Sequence, residues 1–335
     1  MNKQELSATA NAMVADNKGL LAADESTGTM GKRLDSIGVE NVEEKRRDFR
    51  EMMFRSAGIG DYISGVILYD ETLRQNAADG TPLSKILQDA GVIPGIKVDM
   101  GAKELPGRPA EKITEGLDGL PGRVEEYYNL GARFAKWRAV IDIADGIPSR
   151  YAIHTNAHAL ARYAKICQEG GLCPIVEPEV LMDGDHDINR CQEVTEEVLD
   201  VVYNELYLQE VYLEGSILKP NMVIAGKKCA TQASGEEIAA KTVETLKRCV
   251  PSAVPGIMFL SGGQSEEEAT VHLDLMNAMG DLPWGLSFSY GRALQQSALQ
   301  AWKGDNANTA AAQAAFLERA KANSQACAGT YSKAA

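Results

Sequence analysis

The sequence predicts an α/β chain folded as one (β/α)8 barrel of the TIM type, with an extra helix before the first strand and helices after the last. Three observations lead there. Short β-rich apolar runs alternate with segments whose apolar residues recur at helical spacing, the pattern of a parallel sheet covered by helices. The runs number eight, which closes such a barrel. Across 335 residues no internal repeat, low-complexity linker or shift of composition marks a boundary, so a single domain is expected over 1–335.

The eight runs are Gly19–Asp24, Ile63–Tyr69, Val92–Asp99, Ala132–Val140, Pro174–Val180, Ser216–Ile224, Gly256–Ser261 and Trp284–Tyr290. Between them, Thr81-Pro82 predicts a helix start with Thr81 as N-cap and proline at the first helical position. Ser265 and Glu268 have the spacing of a capping box. Long helices without internal proline are expected over Ile188–Tyr207, Glu236–Val250 and Ala310–Ala326. The mixed-sign run Glu43 to Asp48 places Glu43/Arg47 and Arg47/Glu51 at i,i+4, which predicts a solvated helix face. A short flexible tail is expected over 327–335.

Composition narrows the function. The chain has 47 acidic against 34 basic residues, a formal charge of −13, so neither nucleic acid nor an anionic membrane is an expected partner. No run of about 18 apolar residues would cross a bilayer, and the first residues lack the apolar stretch of a signal peptide. Six cysteines occur without a C-x-x-C pair or a histidine at zinc-ligand spacing, in a chain too large to need disulfide staples. A reducing, cytoplasmic location is the expectation.

The informative feature is what ends the apolar runs. Asp24, Lys97, Lys136, Arg138, Glu177, Glu179, Lys219, Ser261, Ser289 and Arg292 lie at or near their carboxyl ends, and a barrel gathers those ends on one face. Side chains alternate along a strand, so Lys136 and Arg138 share a side, as do Glu177 and Glu179. Lys219, in an apolar run stopped by Pro220, is the best placed amine. With Lys136 roughly 6 Å away at an effective dielectric near 20, repulsion of about 2.8 kcal/mol would lower its pKa by about two units and make it a usable nucleophile toward a carbonyl. Loss of water from a carbinolamine calls for a nearby carboxyl group, which Glu177 or Glu179 can supply. The iminium that results is an electron sink, and Asp24 is the candidate to take the proton of a departing hydroxyl.

Two later segments suit an oxyanion. Ser261-Gly262-Gly263 follows the seventh run, and Ser289-Tyr290-Gly291-Arg292 ends the eighth and opens a helix. Small residues expose backbone N–H groups, the helix N-terminus adds partial positive charge, and Arg292 offers a two-pronged donor. Barrels often hold phosphate at this place. Other polar features read as structure. His154 and His158 are four apart with no third ligand in view, so packing or capping is expected. Asp183 to Asp187 lacks calcium-loop spacing and is expected to be a polar loop. No nicotinamide fingerprint is present.

The segments LAADEST (21–27), GIKVD (95–99), FAKWR (134–138), IVEPE (175–179), LEGSILKPNM (213–222), FLSGGQSEEEA (259–269) and FSYGRALQ (288–295), in this order, closely resemble class I fructose-bisphosphate aldolases over nearly the whole chain. The resemblance implies a TIM barrel, usually a homotetramer. It also implies a lyase of glycolysis and gluconeogenesis that reversibly splits fructose 1,6-bisphosphate into dihydroxyacetone phosphate and glyceraldehyde 3-phosphate, without metal or other cofactor. It makes Lys219 the Schiff-base lysine and Glu177 the acid/base of the carbinolamine and iminium steps. Asp24 would handle the C4-hydroxyl proton, Lys136 would stand beside the reacting carbons, and Glu179 would hold the lysines. The C1 phosphate would lie on Ser261, Gly262, Gly291 and Arg292, with Gly263 and Ser289 in the same loops. The C6 phosphate would lie near Ser26, Thr29 and Lys97, with Arg33 and Arg138 bordering the substrate. One departure stands out: many members carry a longer tail ending in a tyrosine that assists proton exchange at C3. Tyr331 matches an earlier position, so slower enamine protonation and a dispensable Tyr331 are expected.

Two other readings stay open on the residues alone. Another imine-forming barrel, such as a transaldolase, would lack the second phosphate site. A scaffold with a vestigial site is the third, against which intact Asp24, Glu177 and Lys219 argue.

Overall fold

Strands buried on both faces need helices on one side and a packed interior on the other, and that requirement organises the whole chain. The computed structural model describes residues 1–331. Its strands β1 (Gly19–Ala23), β2 (Ile63–Leu68), β3 (Ile93–Lys97), β4 (Phe134–Ile141), β5 (Cys173–Val180), β6 (Ile217–Leu218), β7 (Gly256–Phe259) and β8 (Gly285–Tyr290) form one closed barrel. Every neighbour pair is parallel, and β1 closes on β8 through Leu20↔Ser289 and Leu21↔Tyr290. This is the expected TIM barrel, with the additional helices Lys3–Met13 at the start and Arg292–Trp302 and Thr309–Cys327 at the end.

Period-two alternation sorts the strand residues into two cores. Leu21, Ala23, Val66, Leu68, Ala135 and Trp137 point outward and pack under the helices. Leu20, Ala22, Ile67, Phe134, Cys173, Ile175, Ile217 and Met258 fill the barrel, and Leu6, Ala10 and Met13 of the first helix join them. That helix therefore plugs the N-terminal end of the barrel with apolar side chains. The Phe134 ring accounts for a glycine in the neighbouring strand: a Cβ on Gly95 would stand 2.2 Å from the ring, so only glycine fits beneath it.

Four expectations need correction. The sixth strand is Ile217–Leu218 rather than Ser216–Ile224. Lys219 N–H still donates to Val176 O at 2.8 Å, but Pro220 has no N–H with which to continue the ladder. A two-stranded antiparallel hairpin, Ala102–Leu105 with Arg108–Thr114, rises from the loop after β3 and was not predicted; its turn is Pro106-Gly107, with Gly107 at φ 78°. Thr81 is not a cap, because the helix Leu83–Asp89 starts one residue later with Pro82 itself at the N-cap.

The fourth concerns the charge run. It does form a helix, Glu43–Phe54, but Arg46, Asp48 and Arg50 are buried. Arg46 forks onto Glu71 at 2.9 and 2.6 Å, and Arg47 takes Asp48 at 2.6 Å instead of the i,i+4 acids. Carboxylates behind β1 and β2 draw the guanidinium groups inward, where charge pairing offsets desolvation. The capping box at Ser265/Glu268 is present, and the three long helices run Ile188–Leu208, Gly235–Cys249 and Thr309–Cys327. Of the expected tail, Cys327 ends the last helix and Tyr331 N–H donates to Asp274 at 2.8 Å; residues 332–335 lie outside the described residues.

Candidate active site

The alternation that fills the barrel with apolar groups turns charged near the carboxyl ends of the strands. On β4 the inward series runs Phe134, Lys136, Arg138; on β5 it runs Cys173, Ile175, Glu177, Glu179; after β1 and β6 it reaches Asp24 and Lys219. Together they line a cavity of about 1070 Å³, and every site residue expected from the sequence contributes to its wall. Lys136, Glu177 and Lys219 are 3–4% exposed, so the cavity floor is shielded from bulk water.

Glu177 is the hub. Its Oε1 lies 3.2 Å from Lys219 Nζ and its Oε2 3.2 Å from Lys136 Nζ, while Asp24 Oδ2 approaches Lys136 at 2.8 Å. Burial alone would raise the Asp24 carboxyl, but Lys136, Lys219 and Lys97 outweigh it and hold that group well below the usual carboxylate range. Burial pulls Lys136 down, yet Asp24, Glu177 and Asp99 win and push it well above an ordinary lysine. Lys136 therefore does not present an isolated cation to Lys219, as the sequence reading assumed; two carboxylates already balance the two amines.

Glu179 needs a second correction. It does not hold the lysines: its closest cation is Arg138, at 3.1 Å, and burial raises its pKa against the pull of Arg138. Glu177 and Glu179 share a face, but Glu179 stands one inward position nearer the mouth, level with the longer Arg138 side chain.

Around this centre stand two sets of anion-binding groups. On one side, Ser26 caps the helix Thr27–Asp35, its hydroxyl accepting from Thr29 N–H and lying 3.2 Å from Thr29 Oγ1. Arg33 is held by Glu25 at 2.9 Å, and Lys97 by Asp99 at 2.9 Å. On the other side, Gly262 and Gly263 adopt φ 55° and 90°, a double left-handed bend that presents their N–H groups. Among the described residues neither N–H has an acceptor, whereas Gln264 N–H closes the turn onto Ser261 O at 2.9 Å. Gly291 caps the helix Arg292–Trp302, Arg292 donates to Gln264 O at 2.7 Å, and the buried Ser289 hydroxyl has no hydrogen-bond partner among the described residues. A cavity with paired amines and carboxylates at its floor, flanked by two oxyanion seats, suits imine chemistry on a ketone that carries two phosphates.

The profile of the fructose-bisphosphate aldolase class-I family matches residues 5–335. The chain belongs to that family. It is 58% identical over 332 residues to a probable class 1 fructose-bisphosphate aldolase of Xanthomonas campestris, covering 99% of both chains. It is 57% identical over 328 residues to fructose-bisphosphate aldolase 4, cytosolic, of Arabidopsis thaliana, covering 98% of this chain and 84% of that one. A solved fructose-bisphosphate aldolase of Plasmodium falciparum, in complex with TRAP and a small-molecule inhibitor, superposes with a TM-score of 0.98 at 50% identity, over 99% of this chain and 96% of that one. This class I fructose-bisphosphate aldolase is thus a lyase that reversibly cleaves fructose 1,6-bisphosphate to dihydroxyacetone phosphate and glyceraldehyde 3-phosphate.

Several residues of this aldolase site escaped the sequence reading. Glu25, within LAADEST, accepts from Gln295 at 2.8 Å as well as from Arg33, and the fully buried Arg50 donates to its carbonyl at 2.8 Å. Asp99 is buried and accepts from Arg138 N–H and Gly101 N–H, which fixes Lys97. Only their place inside matched segments could have flagged Glu25 and Asp99; Arg50, two residues beyond the charge run, carried no signal of its own. The features read as structure lie away from the floor. His154 and His158 are exposed on the helix Arg150–Glu169 and both approach Glu205, at 3.6 and 3.3 Å. Among the described residues no group of three or more His, Cys, Asp or Glu side chains could hold a metal ion, and no helix is long and apolar enough to cross a membrane. All six cysteines are free thiols.

Proposed function

We propose that Lys219 forms the Schiff base in this aldolase, with Glu177 as its proton carrier. Glu177, 3.2 Å away, takes a proton from the Lys219 ammonium, the freed Nζ attacks the C2 carbonyl, and Glu177 returns that proton as the carbinolamine hydroxyl leaves as water. Asp24 then accepts the C4-hydroxyl proton. The C3–C4 electron pair flows into the iminium, releasing the aldehyde and leaving an enamine that is protonated and hydrolysed. Asp24 is a weak base while tied to Lys136, so its proton transfer follows the rise in acidity of the C4 hydroxyl as the C3–C4 bond breaks and the C4–O bond becomes a carbonyl. The Lys136 ammonium stabilises that oxygen electrostatically. Glu179 acts through Arg138 at the rim.

For the phosphates, we assign the C1 group to Ser261, Gly262, Gly263, Ser289, Gly291 and Arg292, and the C6 group to Ser26, Thr29 and Lys97, with Arg33 and Arg138 along the sugar. N–H groups of the glycine bend and a Ser289 hydroxyl that have no partner among the described residues support the first seat. This chemistry uses neither metal nor organic cofactor, the mode that class I membership implies. The family resemblance further supports a homotetramer, and the cytosolic plant relatives support a cytoplasmic location.

The observation that carries the reading is one buried carboxylate shared by two amines, with Asp24 on the far side of Lys136. Cleavage of fructose 1,6-bisphosphate in EDTA by the wild type and by Lys219→Met tests it. The variant should keep its circular dichroism spectrum and lose turnover by at least about 10³-fold; comparable activity in the variant would overturn the assignment.

A further inference from the structure

Beside the glycine bend stands a cation that nothing above assigns. Lys227, in the loop after β6, lines the cavity together with Asp183, Gly262 and Gly263. Its amine occupies the space that a side chain at residue 263 would take: a Cβ there would lie 2.5 Å from Lys227 Nζ and 2.8 Å from its Cε. Glycine at 263 thus serves two ends, the φ of 90° and the close approach of this ammonium.

The lysine is delivered by stiff backbone. Gly226 N–H donates to His186 O at 2.8 Å, Lys227 N–H to Met182 O at 2.7 Å and Lys228 N–H to Gly184 O at 3.0 Å, knitting its loop to the one after β5. The stem is positioned while the head stays about half exposed, where its counter-ion is Asp183 Oδ1 at 2.9 Å. An exposed ion pair of this kind is weakly held. A phosphate ester brings a charge of about −1.5 to −2 and several strong acceptor oxygens.

We propose that Lys227 is a further phosphate-binding residue at the glycine bend, which exchanges Asp183 for the C1 phosphate of the substrate when the sugar enters. The inference rests on the assignment of the C1 phosphate to that bend. Asp183 acts as a placeholder: it orients the ammonium before the sugar binds and competes with the phosphate for it.

Steady-state cleavage of fructose 1,6-bisphosphate and of fructose 1-phosphate, which lacks the C6 group, tests this on the full-length enzyme. Lys227→Met should raise KM about fivefold for both sugars with kcat within twofold, and Lys227→Arg should restore most of the loss. Asp183→Asn should lower KM about twofold, a change of opposite sign that mere loss of a surface ion pair would not produce. Arg292→Ala is the reference and should raise KM more than tenfold. If Arg292→Ala raises KM while Lys227→Met leaves it unchanged for both sugars, Lys227 is only a surface partner of Asp183 and the proposal falls, with the phosphate seat intact. If neither variant changes KM, the seat itself is misassigned and both readings fall.

Discussion

The two ends of this barrel are made by the same strands and have opposite chemistry. At the N-terminal end, Leu20, Phe134, Cys173 and Ile217 meet Leu6, Ala10 and Met13 in a dry plug. Two residues further along, a rise of roughly 7 Å, the inward positions become Lys136, Ile175 and Lys219, and then Arg138 and Glu177. The plug excludes water from below, which makes burial dominant at the floor and lets a few charges act on one another at full strength. The mouth supplies solvent and anion donors. Apolar packing fills the lower end of the barrel interior, and reaction chemistry belongs to the upper one.

That division can be broken by mutation. At the upper end, Glu177→Gln leaves Lys219 without its proton carrier and should cut kcat by about 10³-fold, roughly 4 kcal/mol, and, because it takes a counter-charge from two buried amines, it should also lower stability by about 2 kcal/mol; a variant within tenfold of wild type in kcat would remove Glu177 from the chemistry. At the lower end, Phe134→Ala opens a cavity above Gly95 and should cost about 3 kcal/mol of stability in urea unfolding, with KM unchanged in the folded fraction. A large change in KM there would deny the separation of the two ends.

Asp24 sharpens the comparison because it belongs to both accounts. Its pKa is depressed in the folded state relative to an unfolded value near 3.9. Its ion-pair contribution is therefore fully present above that value and is lost as pH falls toward the folded pKa. Asp24→Asn should destabilise by about 2 kcal/mol at pH 7, and the gap to wild type should shrink at pH 3; a gap that widens on acidification would contradict the sign. The smallest effect is expected at Tyr331. Its tether is a backbone N–H to Asp274 and its ring packs against the outer core, away from the cavity walls. Tyr331→Phe should leave both kcat and C3 proton exchange within twofold of wild type, as tritium release from labelled dihydroxyacetone phosphate would report.

What the sequence made legible follows from the physics of each signal. Strands such as ISGVIL and CPIVEPEV are buried on both faces, so they stand out as apolar runs, and their charged ends stand out against them. The length of β6 was only half legible: Pro220 marks a stop beside Lys219, yet Met222-Val223-Ile224 stays apolar beyond it and extends the expected strand to Ile224. Alternation put Glu177 and Glu179 on one face but could not say which reaches the lysines; that depends on height in the barrel and on Arg138 competing for Glu179. Arg46 and Asp48 were misread because i,i+4 spacing is the same whether a charged face meets water or buried partners. Lys227 carried no sequence signal, since its role depends on a loop meeting Gly263 in space.

The central claim is that one buried amine, Lys219, becomes covalently joined to the substrate. Incubation with dihydroxyacetone phosphate in EDTA, reduction with borohydride and peptide mapping measures that bond directly. A stable adduct confined to the peptide containing Lys219, and absent from Lys219→Met, is the predicted result; a label on Lys136 or on any other residue, or none at all, would contradict the account.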